Sequence, residues 1–137
     1  MKKVVLDTNV LLVSISSKSK YHWIFQSLLY NKFTLCITTE ILIEYAEIIS
    51  NHMGFEAGNF VLGVFENLPN IELVTTYYRF QLLLDEDDNK FVDCAISCNA
   101  DFIVSHDSDF KRLKKIPFPV VNVINIDQFS KELVSLS

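Results

Sequence analysis

Apolar residues along the chain follow two different spacings. Short runs of β-branched and other apolar residues recur at 4–6, 33–37, 71–74, 102–105 and 120–124, and each reads as a buried strand. Between these runs apolar residues return every three to four positions. Trp23, Ile24, Ser27, Leu28 and Tyr30 predict a helix over 21–30. Ile41, Leu42, Tyr45, Ile48 and Ile49 form the core stripe of a helix that Thr38 and Thr39 are suited to cap and that runs to about Asn51. Further helices are expected over 55–68, ending before Pro69, over 89–99, as a short basic helix over 108–115, and as a capped terminal helix over 127–136. Residues 9–15 continue the first strand into a helical turn, 14–19 read as a polar loop, and the third strand is expected to extend toward Tyr78. Strands alternating with helices imply right-handed crossovers and a parallel sheet. The expected fold is α/β, a three-layer α/β/α sandwich around a parallel sheet of about five strands, built as a single domain over 1–137.

The stretch KVVLDTNVLL, from Lys3 to Leu12, sets the chemistry. Its apolar run stops at Asp7 and two small polar residues before apolar residues resume. An acid inside a doubly covered strand would be buried unpaired at a cost of several kcal/mol, whereas at the carboxyl end that cost falls away. That edge is where open parallel sheets bind ligands. Asp107 follows the strand FIVS in the same way, although Asp107 and Asp109 are also suited to capping the helix after them. Asp88 precedes a helix whose core face holds Phe91, Val92, Ala95 and Cys98, so it lies on the inward stripe at the same edge. Glu44 sits at the boundary between the apolar and polar faces of its helix, one turn in, where it can lean over the edge. Asp93 falls opposite the core stripe and reads as a solvated surface acid.

Composition narrows the class. At 137 residues and 50% apolar, the chain suffices for one sizeable core. Cys36, Cys94 and Cys98 lie in apolar segments and suit small buried hydrophobes in a reducing cytosol; Cys94 and Cys98 share a helical i, i+4 spacing, but no third and fourth metal ligand stands near them in sequence. Asp7 ends the first apolar run too early for a signal peptide, and no run approaches a membrane span, so a cytoplasmic protein is expected. The net charge of −5 argues against blanket phosphate neutralisation, yet a carboxylate cluster neutralised by a cation remains compatible with a nucleic-acid substrate. The exception to the acidic balance is Lys111, Arg112, Lys114 and Lys115, close in sequence to Asp107 and Asp109. It reads either as a solvated helix face or as a contact for nucleic-acid backbone. Of His22, His52 and His106, only His106 is near the acids.

Three or four converging carboxylates repel one another unless a cation neutralises them. Oxygen ligands without paired His and Cys favour Mg²⁺ or Mn²⁺ over zinc. Such a site suits phosphodiester hydrolysis, and no P-loop, Rossmann glycine fingerprint or nucleophilic Ser or Cys motif competes.

The stretches VVLDTNVLL, ILIEYAEII, DEDDNKFVDCA and ADFIVSHDSDF, in this order, resemble the PIN-domain ribonucleases, in particular the VapC-like toxin components of toxin–antitoxin pairs. The resemblance covers most of the chain. It implies that Asp7, Glu44, Asp88 and Asp107 form the catalytic acidic quartet and bind metal, with Asp93 a further metal ligand against the helical-wheel reading. It also implies that Asn9 steadies Asp7; Asp109 is expected to support the same edge. Ser105 and His106 depart from the threonine and small residue common in relatives. The implied activity is a Mg²⁺- or Mn²⁺-dependent endoribonuclease on single-stranded RNA, restrained by a cognate antitoxin and homodimeric.

Two other classes compete. A phosphatase or phospho-acceptor domain also puts aspartates at strand ends, but a haloacid-dehalogenase-type enzyme wants an acid where Asn9 stands, and a receiver domain wants an early acidic pair that is missing. The third is a non-catalytic RNA- or protein-binding module on the same fold.

Overall fold

The computed structural model describes residues 1–134. Its centre is β1 (Lys3–Leu6), whose Val4, Val5 and Leu6 are all fully buried. Successive side chains of a strand point to opposite faces, so burial of all three means that both faces are covered. The other strands are β2 (Thr34–Ile37), β3 (Ile71–Leu73), β4 (Phe102–Val104) and β5 (Val123–Ile124). They form one parallel sheet in the order β3-β2-β1-β4-β5. From β1 the chain moves outward through β2 to β3, then returns to β4 on the other side. The strand order therefore reverses between β1 and β4, and the crevice beyond their carboxyl ends is the natural ligand position.

The helices are α1 (Thr8–Ile15), α2 (His22–Leu29), α3 (Thr39–Met53), α4 (Phe55–Asn67), α5 (Glu86–Cys98) and α6 (Ile126–Val134). The α/β architecture expected from the sequence, helices flanking a five-stranded parallel sheet, is the one observed. Thr38 caps α3 by accepting from the Ile41 amide at 3.1 Å. The fully buried Tyr45 of α3 donates its hydroxyl to the Leu6 carbonyl, fixing α3 against the end of β1. At the other end of the sheet, Trp23, Phe33 and Phe102 surround Phe129 of α6. Asn125 and Gln128 cap α6 reciprocally, each side chain accepting from the other's amide. The expected continuation of this helix to Leu136 lies outside the described residues.

Three expectations about elements need correction. Strand β3 stops at Leu73 instead of extending toward Tyr78, and residues 74–85 have no regular structure. Strand β5 is two residues long, not five, because only Val123 and Ile124 reach the register of Ile103 and Val104. The short basic helix expected over 108–115 is present with those bounds, as a 3-10 helix. Helix α5 starts at Glu86, three residues early, because Asp85 caps it by accepting from the Asp87 amide at 2.9 Å. No helix among the described residues is long and apolar enough to cross a membrane.

Candidate metal centre

The β1–α1 junction turns at Asp7. Its backbone amide donates to Val104 at the end of β4 (3.1 Å), while its carbonyl accepts from Val10 and Leu11 as the first turn of α1. The Asp7 carboxylate is buried, with the Asn9 amide turned toward it but no cap hydrogen bond closed. Instead, Ser105 Oγ donates to Asp7 Oδ2 at 2.8 Å, and accepts from the Asp107 amide at 2.9 Å. One buried hydroxyl thereby joins the acids that end β1 and β4. Burial is the largest influence on Asp7 and pushes its carboxyl up; the Ser105 hydroxyl and Asn9 amide oppose this, and the charges of Asp107 and Glu44 add to it. Asp7, Asp107, Asn9 and His106 share a cleft of about 310 Å³. The contribution of Asn9 to Asp7 therefore comes through its backbone.

Asp107 also serves the local structure, since its Oδ1 accepts from the Asp109 amide at 2.9 Å and caps the 3-10 helix. Capping and nearness to Asp7 and Asp88 thus coexist in this side chain. Asp88, in the first turn of α5, is the most perturbed carboxyl. Its Oδ2 is buried without a hydrogen-bond partner, and the group is pushed up to about 7, first by burial and then by the charges of Asp85, Asp107, Asp7 and Asp109. Carboxylate oxygens of Asp85, Asp88 and Asp109 all lie within 4.8 Å of one another. Among the described residues, this edge gathers Asp7, Asp85, Asp88, Asp107 and Asp109. Oxygen donors only, a mutual repulsion and an unpartnered buried oxygen fit a hard divalent cation.

Glu44 reaches the same neighbourhood, and both its oxygens are engaged. Thr8 Oγ1 donates to Oε2, and Lys90 Nζ pairs with Oε1 at 2.8 Å. The Lys90 side chain is only 9% exposed, so the pair is well shielded from water. Asp93 sits apart from the acids. It is buried, contrary to the surface position given by the helical wheel, and its Oδ1 accepts from the Phe80 amide at 3.1 Å. Burial raises its carboxyl, the Phe80 amide and Arg79 lower it, and the other acid acting on it is Glu40. Expecting Asp93 as a ligand of this cluster does not match that arrangement.

The basic run also divides. Lys111, Arg112 and Lys115 line a cleft of about 550 Å³ with Asp109 and Leu84, whereas Lys114 lines a different one with Asp101 and Val121. The sequence reading missed Asp85, Thr8 and Lys90. Asp85 stands three residues before Asp88, a spacing that puts both on one helix face and was available as a signal. Nothing local marks Lys90 as the partner of Glu44.

A family model described as the PIN domain matches residues 3–109. The chain belongs to the PIN-domain family. Among solved structures, a chain of VapBC2 from Rickettsia felis bound to a DNA fragment from their promoter is similar at 21% identity and a TM-score of 0.62. The match covers 90% of this chain and 98% of that one. A chain of DNA-bound VapBC from Salmonella typhimurium is similar at 17% identity and a TM-score of 0.57, covering 91% and 98%. No curated protein matches this PIN-domain chain. All the acids of the sheet edge, from Asp7 to Asp109, fall inside the matched span.

Proposed function

We propose that this PIN-domain protein is an endoribonuclease that cuts single-stranded RNA with Mg²⁺ or Mn²⁺, and that it acts as the toxin of a toxin–antitoxin pair. The supporting observation is the state of Asp88: a buried, unpartnered carboxylate oxygen whose charge is opposed by acids from two other segments of the chain. Asp7, Asp88, Asp107 and Asp109, with Asp85 beside them, would hold the cation. When bound, it would supply Lewis-acid polarisation of the phosphate and a more acidic water. Ser105 holds Asp7 and Asp107 in fixed relation. Glu44, tied to Lys90, adds negative potential beside Asp7 while staying paired. Lys111, Arg112 and Lys115 would take phosphates of the RNA backbone next to Asp109.

Both similar chains come from VapBC structures, which supports a VapB-like antitoxin as partner. A homodimer and a cytoplasmic location belong to the same reading. The test is incubation of the purified chain with a mixed-sequence single-stranded RNA in Mg²⁺, in Mn²⁺ and in chelator, with Asp7→Asn alongside. Internal cleavage that needs the divalent ion and vanishes in the variant is expected. RNA binding without cleavage under any divalent ion would favour the binding-module class, and phosphate release from small phosphoesters with RNA left intact would favour a phosphatase.

A further inference from the structure

Away from the carboxylate edge, the sheet assembles a second group of metal-ligating side chains. Cys36 on β2 and Glu72 on β3 are register partners, and Cys36 Sγ lies 3.5 Å from Glu72 Oε2. Cys98 comes from the last turn of α5, and the ligand atoms of Cys36, Glu72 and Cys98 all lie within 4.8 Å of one another. Cys94 is one turn earlier on the same helix. The three cysteines are buried, while the Glu72 side chain is 42% exposed and opens the group to solvent. Lys3, at the start of β1, pairs with Glu72 Oε2 at 3.0 Å and donates to the Cys98 carbonyl at 2.7 Å.

We propose that Cys36, Cys98 and Glu72 form a binding site for a thiophilic divalent cation of the zinc class. Two sulfurs and one carboxylate are a soft donor set that selects against Mg²⁺, so the site is chemically distinct from the all-oxygen edge. Tetrahedral zinc with Zn–S bonds near 2.3 Å places its ligand atoms roughly 3.8 Å apart. The observed spacings, 3.5 Å for one pair and at most 4.8 Å within the triad, need shifts of about an ångström or less to close on such an ion. Lys3 offsets part of the negative charge that two thiolates and a carboxylate would carry around a divalent ion. Its bond to the Cys98 carbonyl keeps it in place when Glu72 turns to the ion.

The test is titration of Cd²⁺ into the full chain kept reduced with a phosphine, following the thiolate-to-cadmium charge-transfer absorbance. A band saturating at one equivalent is expected, and Mg²⁺ in large excess leaves it unchanged. Cys98→Ser, at the most exposed of the three cysteines, weakens binding at least tenfold and removes much of the band. Glu72→Gln, at an exposed side chain that spares folding, weakens binding while keeping the band. Asp7→Asn leaves both unchanged, which separates this site from the carboxylate edge. Zn²⁺ alone raises the unfolding midpoint of the parent and not that of Cys98→Ser. Absence of a charge-transfer band at one equivalent, or parent-like affinity in both Cys98→Ser and Glu72→Gln, overturns the proposal.

Discussion

Ser105 donates to Asp7 at 2.8 Å while accepting the Asp107 amide at 2.9 Å, so one hydroxyl sets the distance between the ends of β1 and β4. Ser105→Ala leaves a buried carboxylate oxygen and a backbone amide without this partner. We predict a loss of about 1–2 kcal/mol in stability. Misplacement of a supported ligand typically costs about ten- to a hundredfold in activity or metal affinity, and that range is expected for RNA cleavage here. Ser105→Thr keeps the hydroxyl and retains most activity. Denaturant unfolding together with cleavage rates at varied Mg²⁺ checks both effects.

Asp7→Asn separates function from stability. It removes one of the charges that burial and neighbouring acids oppose. In chelator the variant is expected to unfold at the same temperature as the parent or higher. Cleavage falls by more than about a hundredfold, because several kcal/mol of transition-state stabilisation depend on the filled site. A variant that cuts like the parent refutes the assignment.

The raised Asp88 makes stability depend on pH with a definite sign. Its ordinary value is 3.8 and its folded value is about 7, so between these the folded state holds a proton that the unfolded state has released. Stability in metal-free buffer therefore falls as pH rises from about 4 to about 7 and levels off above. Allowing for partial solvation, this group contributes on the order of 1–2 kcal/mol. Asp88→Asn flattens that dependence. Mg²⁺, which prefers the ionised site, raises the unfolding midpoint more at pH 8 than at pH 5.5. Thermal melts at the two pH values, with Mg²⁺ and with chelator, read both.

Much of this arrangement was legible in the chain. Asp7 and Asp107 each end a short apolar run, and a parallel sheet has one edge at which such acids can sit without burial inside a strand. Their meeting therefore followed from strand type alone. What failed depended on segments remote in sequence. The helical wheel placed Asp93 in solvent because it knows only its own helix. In the structure the irregular segment after β3 runs beside α5, held by Asp93 at the Phe80 amide and by paired hydrogen bonds between Asn89 and Leu83 at 2.9 and 3.2 Å. Asp85 was overlooked because LLLDEDD hides which acid caps α5. The single-residue offset between Lys114 and Lys115 sends neighbouring cations into different clefts, which no count of basic residues reveals.

That offset is testable. Replacing Lys111, Arg112 and Lys115 together by Ala removes the cations beside Asp109, whereas Lys114→Ala removes one that faces elsewhere. For single-stranded RNA each lost phosphate contact changes the slope of log affinity against log salt by about 0.7, so the triple variant flattens it by roughly 2. Lys114→Ala leaves the slope unchanged. Binding titrations in chelator at several salt concentrations, with cleavage suppressed, distinguish the two.

The Lys90–Glu44 pair carries the last prediction. Glu44 has both oxygens engaged, and its charge already raises Asp7. Lys90→Gln strands that carboxylate in a largely desolvated position near other acids, and a broken shielded pair costs about 3–5 kcal/mol at the buried limit, less here because the Glu44 side chain is 29% exposed. Removing Glu44 as well, in Lys90→Gln with Glu44→Gln, eliminates the stranded charge and restores most of the loss. The double variant is therefore more stable than Lys90→Gln alone, a non-additivity that a double-mutant cycle of unfolding free energies measures directly. If Glu44 acts in cleavage only by supplying potential through this pair, the double variant keeps measurable activity, in contrast to Asp7→Asn. Equal inactivity of the two would instead make Glu44 a ligand that releases Lys90 when the cation binds.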